Sequence, residues 1–217
     1  SQDPDIHIEE LIDTLKRDGL TAKFELDPSE QPSKWTMFDI LNQNGKVLAQ
    51  IERNPVIDGE LGQEELNEFR EIIQDLKPIS AVQWLTNYFD NVKVIYAFQL
   101  LNATFDDSNF EIVGSIKTKI WNKTKGILQA DNEGFSNNEG YHILWQFSDD
   151  VTGDWSCAVI NSAGKWDNFI MDLGDRTQRN EFQNGEVPTN AERLYVDMTE
   201  SMPTARSSYA GGRNNIN

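Results

Sequence analysis

The sequence predicts an α+β fold, with helices packed on a largely antiparallel, meander-like sheet and a strand-rich C-terminal half. Three observations carry that prediction. Apolar residues recur with helical period in residues 6–17 and 63–91. Elsewhere they alternate, or run continuously, over strand-length segments. Those segments follow one another through Gly, Asn and Asp clusters instead of alternating with helices as βαβ units do. The reading is one domain over residues 1–198. A subdivision near residue 78 is allowed, with an acidic αβββα part (1–78) and a part holding αα followed by antiparallel strands (79–198). Residues 199–217, rich in Ser, Ala, Gly, Arg and Asn, read as a disordered tail.

The elements follow in order. Ile8, Leu11, Ile12 and Leu15 form one stripe of a helix over 6–17, with Asp3 or Asp5 as its cap and Gly19 after its end. Leu20–Leu26 alternates, placing Ala22, Phe24 and Leu26 on one strand face. Trp35–Leu41 and Lys46–Glu52 flank Asn44–Gly45, a hairpin signal. After a loop over Asn54–Gly62, Leu66, Phe69, Ile72, Ile73 and Leu76 mark a helix over Gln63–Leu76 that Pro78 ends, and a second helix spans 79–91. Val94–Leu101 is a nearly continuous apolar run, the pattern of a central strand buried on both faces. Strands are then expected at Phe110–Ile120, Gly126–Ala130, Tyr141–Phe147, Ser156–Ile160 and Asn168–Leu173. Asn161–Gly164 makes the last hairpin loop, and Glu192–Met198 a short final strand or turn.

Composition narrows the function. The chain has 217 residues and a formal charge of -17, with one Cys and two His. Residues 1–78 hold 18 acids against 8 bases, and residues 79–217 hold 18 against 11, so the first third is the acidic end. That charge disfavours nucleic acid and acidic membrane as partners. No segment reaches the roughly 18 apolar residues of a membrane span. Ser1–Glu10 lacks the basic and apolar regions of a signal peptide. A lone cysteine forms no internal disulfide. The sequons at Asn102–Thr104 and Asn122–Thr124 read as chance, and the expected compartment is the cytoplasm.

The catalytic inventory is thin. Cys157 sits among apolar strand residues, which raises a thiol's pKa, and no nucleophile elbow, P-loop or dinucleotide fingerprint is present. One Cys and two His do not supply a zinc site, and no cofactor is expected. The acidic loops Asp131–Glu139 and Asp149–Asp154 lack the spacing of a calcium loop. One constellation stands apart. If residues 116–125 are extended, Lys117, Lys119, Trp121, Lys123 and Lys125 share one face, with Ile116, Thr118 and Ile120 on the other. Such a row would contact an anion or a partner, guard an edge strand, or pair with the acidic first third of the chain or of a second copy. The order helix, three strands, helix over residues 6–76, together with its acidity, resembles the small acidic secretion chaperones. The resemblance covers a third of the chain and has no motif behind it.

The sequence thus reads as a non-catalytic interaction or regulatory module that meets an unidentified protein partner or itself. Its acidic body carries the Lys/Trp row as contact surface. Two alternatives stand beside it: a small-ligand binder with an aromatic-lined cleft, and a carboxylate-based, divalent-cation-dependent hydrolase seated in one of the acidic loops.

Overall fold

The computed structural model describes residues 6–194. The proposed caps Asp3 and Asp5, the end of the Glu192–Met198 segment and the tail beyond Thr199 lie outside the described residues. The chain is α+β, with two largely antiparallel sheets and a strand-rich C-terminal half. Its contacts gather into two compact units, Ser1–Gln74 with Leu85–Gly126, and Asp75–Trp84 with Ile127–Asn217.

The first unit begins with α1 (Ile8–Arg17), whose Ile8, Leu11 and Leu15 are buried. Gly19 follows it in the left-handed region, at φ 73°, where a side chain would be strained. Strands β1 (Lys23–Leu26), β2 (Met37–Leu41), β3 (Val47–Pro55) and β4 (Val94–Leu100) form a four-stranded antiparallel sheet in the order β1-β2-β3-β4. The β2–β3 turn is the expected hairpin: Asn42 Oδ1 accepts from the N–H groups of Asn44 and Lys46 at 3.0 Å each, and Gly45 has φ 75°. Between β3 and β4 run α2 (Leu61–Ile73) and α3 (Ile79–Phe89); the division between the units passes through α3. A short 3-10 turn (Asn102–Phe105) leads into α4 (Asp107–Thr124). The core of this unit joins Leu11 and Leu15 of α1, Trp35, Phe38, Ile40 and Ile51 of the sheet region, and Ile112, Val113, Ile116 and Ile120 of α4. The Trp35 indole donates to the carbonyl of Ile6 at 2.7 Å and meets Phe38 edge-on at 4.6 Å.

Two expectations are corrected here. Residues 110–120 are helix, not strand. Ile112, Val113, Ile116 and Ile120 recur at helical spacing and are all buried, and that burial outweighs the alternation of Ile116, Thr118 and Ile120 that suggested a strand. Val94–Leu100 is a strand but not a central one: it ends the sheet order, and its residues after Val94 are partly or fully exposed.

The second unit holds β5 (Leu128–Ala130), β6 (Gly134–Ser136), β7 (His142–Trp145), β8 (Asp154–Ile160), β9 (Trp166–Asp172), α5 (Arg176–Gln183) and β10 (Glu192–Leu194). The sheet order is β10-β9-β8-β7-β6-β5, antiparallel except for the single parallel bridge His142–Cys157 between β7 and β8. Its hairpins repeat the device of the first unit. Asn161 Oδ1 accepts from Ala163 and Lys165, with Gly164 at φ 73°. Asn137 Oδ1 accepts from Glu139 and Tyr141, with Gly140 at φ 87°. The core is Trp145, Cys157, Val159, Phe169, Met171, Leu173 and Phe182, and the backbone N–H of Trp145 donates to the carbonyl of Lys77 at 3.0 Å. α5 was not expected from sequence. Asp175 caps it, accepting from the N–H groups of Thr177 and Gln178. Among the described residues no helix is long and apolar enough to cross a membrane.

Candidate functional site

The lysine row does not exist as a row. Helical geometry turns successive residues by about 100°, so Lys117 and Trp121 fall on one side of α4 and Lys119 and Lys123 on another. Lys125 is the left-handed residue after the helix, at φ 53°. The Trp121 indole donates to the Gly126 carbonyl at 2.8 Å, within the turn that ends the helix. Lys123 Nζ lies 2.8 Å from both carboxylate oxygens of Glu10 on α1, and Lys119 Nζ lies 3.7 Å from one of them. The hydrogen bond from Lys123 holds the Glu10 carboxyl below its ordinary pKa, helped by the charge of Lys119. Two of the lysines are thus engaged by the acidic first third of the same chain.

Cys157 and His142 are sealed, while His7 is half-buried. Cys157 is fully buried and its thiol is pushed up by desolvation, so it is not a nucleophile in this fold. His142 is 2 % exposed, its ring stands 4.8 Å from that of Phe147 and 6.1 Å from that of Phe182, and its Nε2 has no hydrogen-bond partner. Burial depresses its pKa to about 3. The acidic loops are built into turns: Asp131 accepts from Gln129 at 3.2 Å, and Ser148 donates to Asp150 at 2.5 Å and lowers its pKa. Among the described residues no three His, Cys, Asp or Glu side chains converge as a metal-binding group. The aromatic residues of the second unit pack edge to face, Trp145 with Phe147 and Phe147 with Trp155, both at 5.2 Å.

The first unit, by contrast, carries an open concavity of about 310 Å³ on the sheet face turned away from α1 and α4. It is lined by Glu52 and Asn54 of β3, Ala97 of β4, and Leu61, Glu64, Glu65 and Glu68 of α2. Strand register explains the first set. Met37, Glu52 and Ala97 stand opposite one another across β2, β3 and β4, and alternation sends their side chains away from the core that Phe38, Ile51 and Phe98 enter. Helical period explains the second set: residues 61, 64, 65 and 68 lie at i, i+3, i+4 and i+7, while Leu66 and Ile73 turn inward. Gly62 brings the two sets together. A Cβ there would stand 2.5 Å from the Pro55 carbonyl oxygen and 2.6 Å from that of Asn54, so α2 starts against bare backbone at the end of β3. Leu61, beside it, is 56 % exposed.

The acidic cleft is the arrangement that sequence reasoning missed. Its signal was present as a Leu-Glu-Glu-Glu stripe at helical spacing, but a stripe of charge on a helix is most often a solvated face. Only the register of β3 and β4 shows that another carboxylate, Glu52, faces it. Comparison with protein-family models, curated proteins and solved structures returned no match to this chain.

Proposed function

We propose that this protein is a non-catalytic binding module whose N-terminal unit receives a basic segment of a partner protein. The observation that carries the reading is the cleft itself, where Glu52, Glu64, Glu65 and Glu68 line one concavity beside an exposed leucine. Carboxylates drawn together in a cleft focus negative potential and attract cations at long range, and an apolar neighbour adds area that a bare counterion does not use. Cys157 and His142 are buried and so take no part in contact with a partner segment. The contact thus belongs on the acidic face, whereas Lys119 and Lys123 of α4 already pair with Glu10.

The test compares the same loss of charge at two places. Glu64→Gln, Glu65→Gln and Glu68→Gln are combined in one variant, and Asp131→Asn, Glu186→Gln and Glu192→Gln, all exposed in the second unit, in another. Binding of a fluorescein-labelled Lys- and Val-containing peptide is followed by anisotropy at two salt concentrations. The first variant weakens binding tenfold or more and flattens its salt dependence, while the second changes it less than threefold. Equal losses in the two variants mean attraction to net charge alone, and the reading fails.

A further inference from the structure

The strand that the sequence marks as central stands at the edge of its sheet, and the mismatch has a physical cost. An exposed strand edge templates pairing with another chain, and folded proteins blunt their edges with charge, proline, bulges or short length. The other three edges here follow that rule. β1 has four residues, of which Lys23 and Glu25 are charged. β10 has three, with Glu192 and Arg193, and β5 has three. β4 follows none of it. Val-Ile-Tyr-Ala-Phe-Gln-Leu has seven residues, no charge and no proline, and pairs with β3 in continuous register without a bulge.

The ladder also fixes which groups the edge presents. The Val56 N–H donates to the Lys93 carbonyl at 2.9 Å, and the Leu101 N–H donates to the Leu48 carbonyl at 2.8 Å. Odd-numbered residues of this segment therefore address β3. Even-numbered ones, Val94, Phe98 and Leu100 among them, turn their N–H and C=O outward.

We infer that the partner segment binds extended, as a fifth strand on the outer edge of β4, and that it alternates basic with apolar residues. This rests on the acidic-cleft reading and specifies its ligand. An added strand places alternate side chains on the two faces of the sheet. On one face they lie beside Ala97, within the cleft, where Glu52, Glu64 and Glu68 call for Lys or Arg. On the other they continue the row of Phe98 and Leu100, the latter 41 % exposed, and apolar residues fit there. A second copy of this chain is a poor occupant, since its own β4 brings no cation and its body carries a charge of -17.

The experiment uses the full chain and an eight-residue fluorescein-labelled peptide alternating Lys and Val. Its comparison is the same peptide N-methylated at every second residue, equal in charge but unable to donate along one edge. The alternating peptide binds, N-methylation weakens it at least tenfold, and hydrogen exchange at the Phe98 and Leu100 amides slows on binding. Leu100→Pro, which deletes an outward N–H at a half-exposed position, weakens it to the same degree. If N-methylation has no effect while the Glu64/Glu65/Glu68 variant abolishes binding, the cleft stands and the added strand is overturned. If neither peptide binds, the cleft reading falls with it. A doubled mass in light scattering that Leu100→Pro returns to the monomer, with no peptide bound, overturns the inference in favour of a second copy. Should Leu100→Pro not fold, the N-methylated peptide decides alone, since it leaves the protein untouched.

Discussion

The two units use the same turn and reach opposite ends. Asn42, Asn137 and Asn161 each close a hairpin with the side-chain oxygen accepting two backbone N–H groups and a left-handed glycine three residues on. Beyond the turns the units part. The second buries its polar and ring chemistry: His142, Asn137, Asn168 and Arg179 are all at most 9 % exposed, and its edge strands are three residues long. The first leaves a seven-residue uncharged edge and an acidic cleft open. Burying polar groups raises the cost of any local change, whereas open edges and clefts contribute little to stability and are available for contact. The comparison predicts that the second unit is the more sensitive to loss of a buried polar group, and three substitutions test that prediction.

Arg179 carries the largest expected effect. Its guanidinium donates to the carbonyls of Leu173 and Val151, and to that of Asp149 at 2.7 Å, and it stands 5.4 Å from the Trp145 ring centre. Arg179→Met keeps most of the stem but leaves these carbonyls without that donor, at a cost of about 3–4 kcal/mol. Urea unfolding followed by tryptophan fluorescence measures the loss. Hydrogen exchange then locates it: amides of β7, β8 and β9 lose protection before those of β2 and β3. Equal loss in both sheets breaks the comparison.

His142 comes second, and the sign follows from its depressed pKa. The folded protein holds the imidazole neutral down to about pH 3, while the unfolded chain protonates it near the ordinary value of 6.5. Stability from this group is complete above about pH 6.5 and is lost as pH falls towards 3, at about 1.4 kcal/mol per unit. Between pH 6.5 and 4.5 the loss is roughly 2–3 kcal/mol. His142→Phe, in a site already bordered by Phe147 and Phe182, removes that part of the slope. An unchanged slope in the variant would assign the acid sensitivity to carboxylates instead.

What was legible in the sequence follows the same divide between local and non-local information. The Asn44–Gly45 and Asn161–Gly164 turns, the stripe of α1 and the stop at Pro78 are fixed by chemistry within a few residues, and the two turns and the stripe stand where turn type and period put them. The segment 110–125 was not legible, because Ile116, Thr118 and Ile120 satisfy period two as well as Ile112, Val113, Ile116 and Ile120 satisfy period 3.6. The burial that decides between them packs Ile112, Val113, Ile116 and Ile120 with Leu11 and Leu15, residues far away in the sequence. β4 was misplaced for a related reason. An apolar run reports that a strand is suited to neighbours on both sides, but not whether the chain itself supplies both. α5, Arg-Thr-Gln-Arg-Asn-Glu-Phe-Gln, buries only Arg179 and Phe182, too few apolar residues to mark a period, although Asp175 before it was a readable cap.

Glu10 gives the smallest effect and sharpens the comparison by its salt dependence. The carboxylate ties α1 to α4 through Lys123 and Lys119, but its side chain is 35 % exposed, so water and salt screen the attraction. Glu10→Gln costs about 0.5–1 kcal/mol at low salt and less at high salt. Because the Glu10 pKa is lowered in the fold, its contribution is present above the ordinary carboxylate value and fades as pH falls through the lowered one. The Arg179 loss, set by buried carbonyls, stays nearly constant over the same salt range. Urea titrations of both variants at 20 mM and 500 mM salt read the difference directly. If Glu10→Gln is as insensitive to salt as Arg179→Met, the α1–α4 contact is held by the apolar stripe of Leu11, Leu15, Ile116 and Ile120 and not by the ion pair.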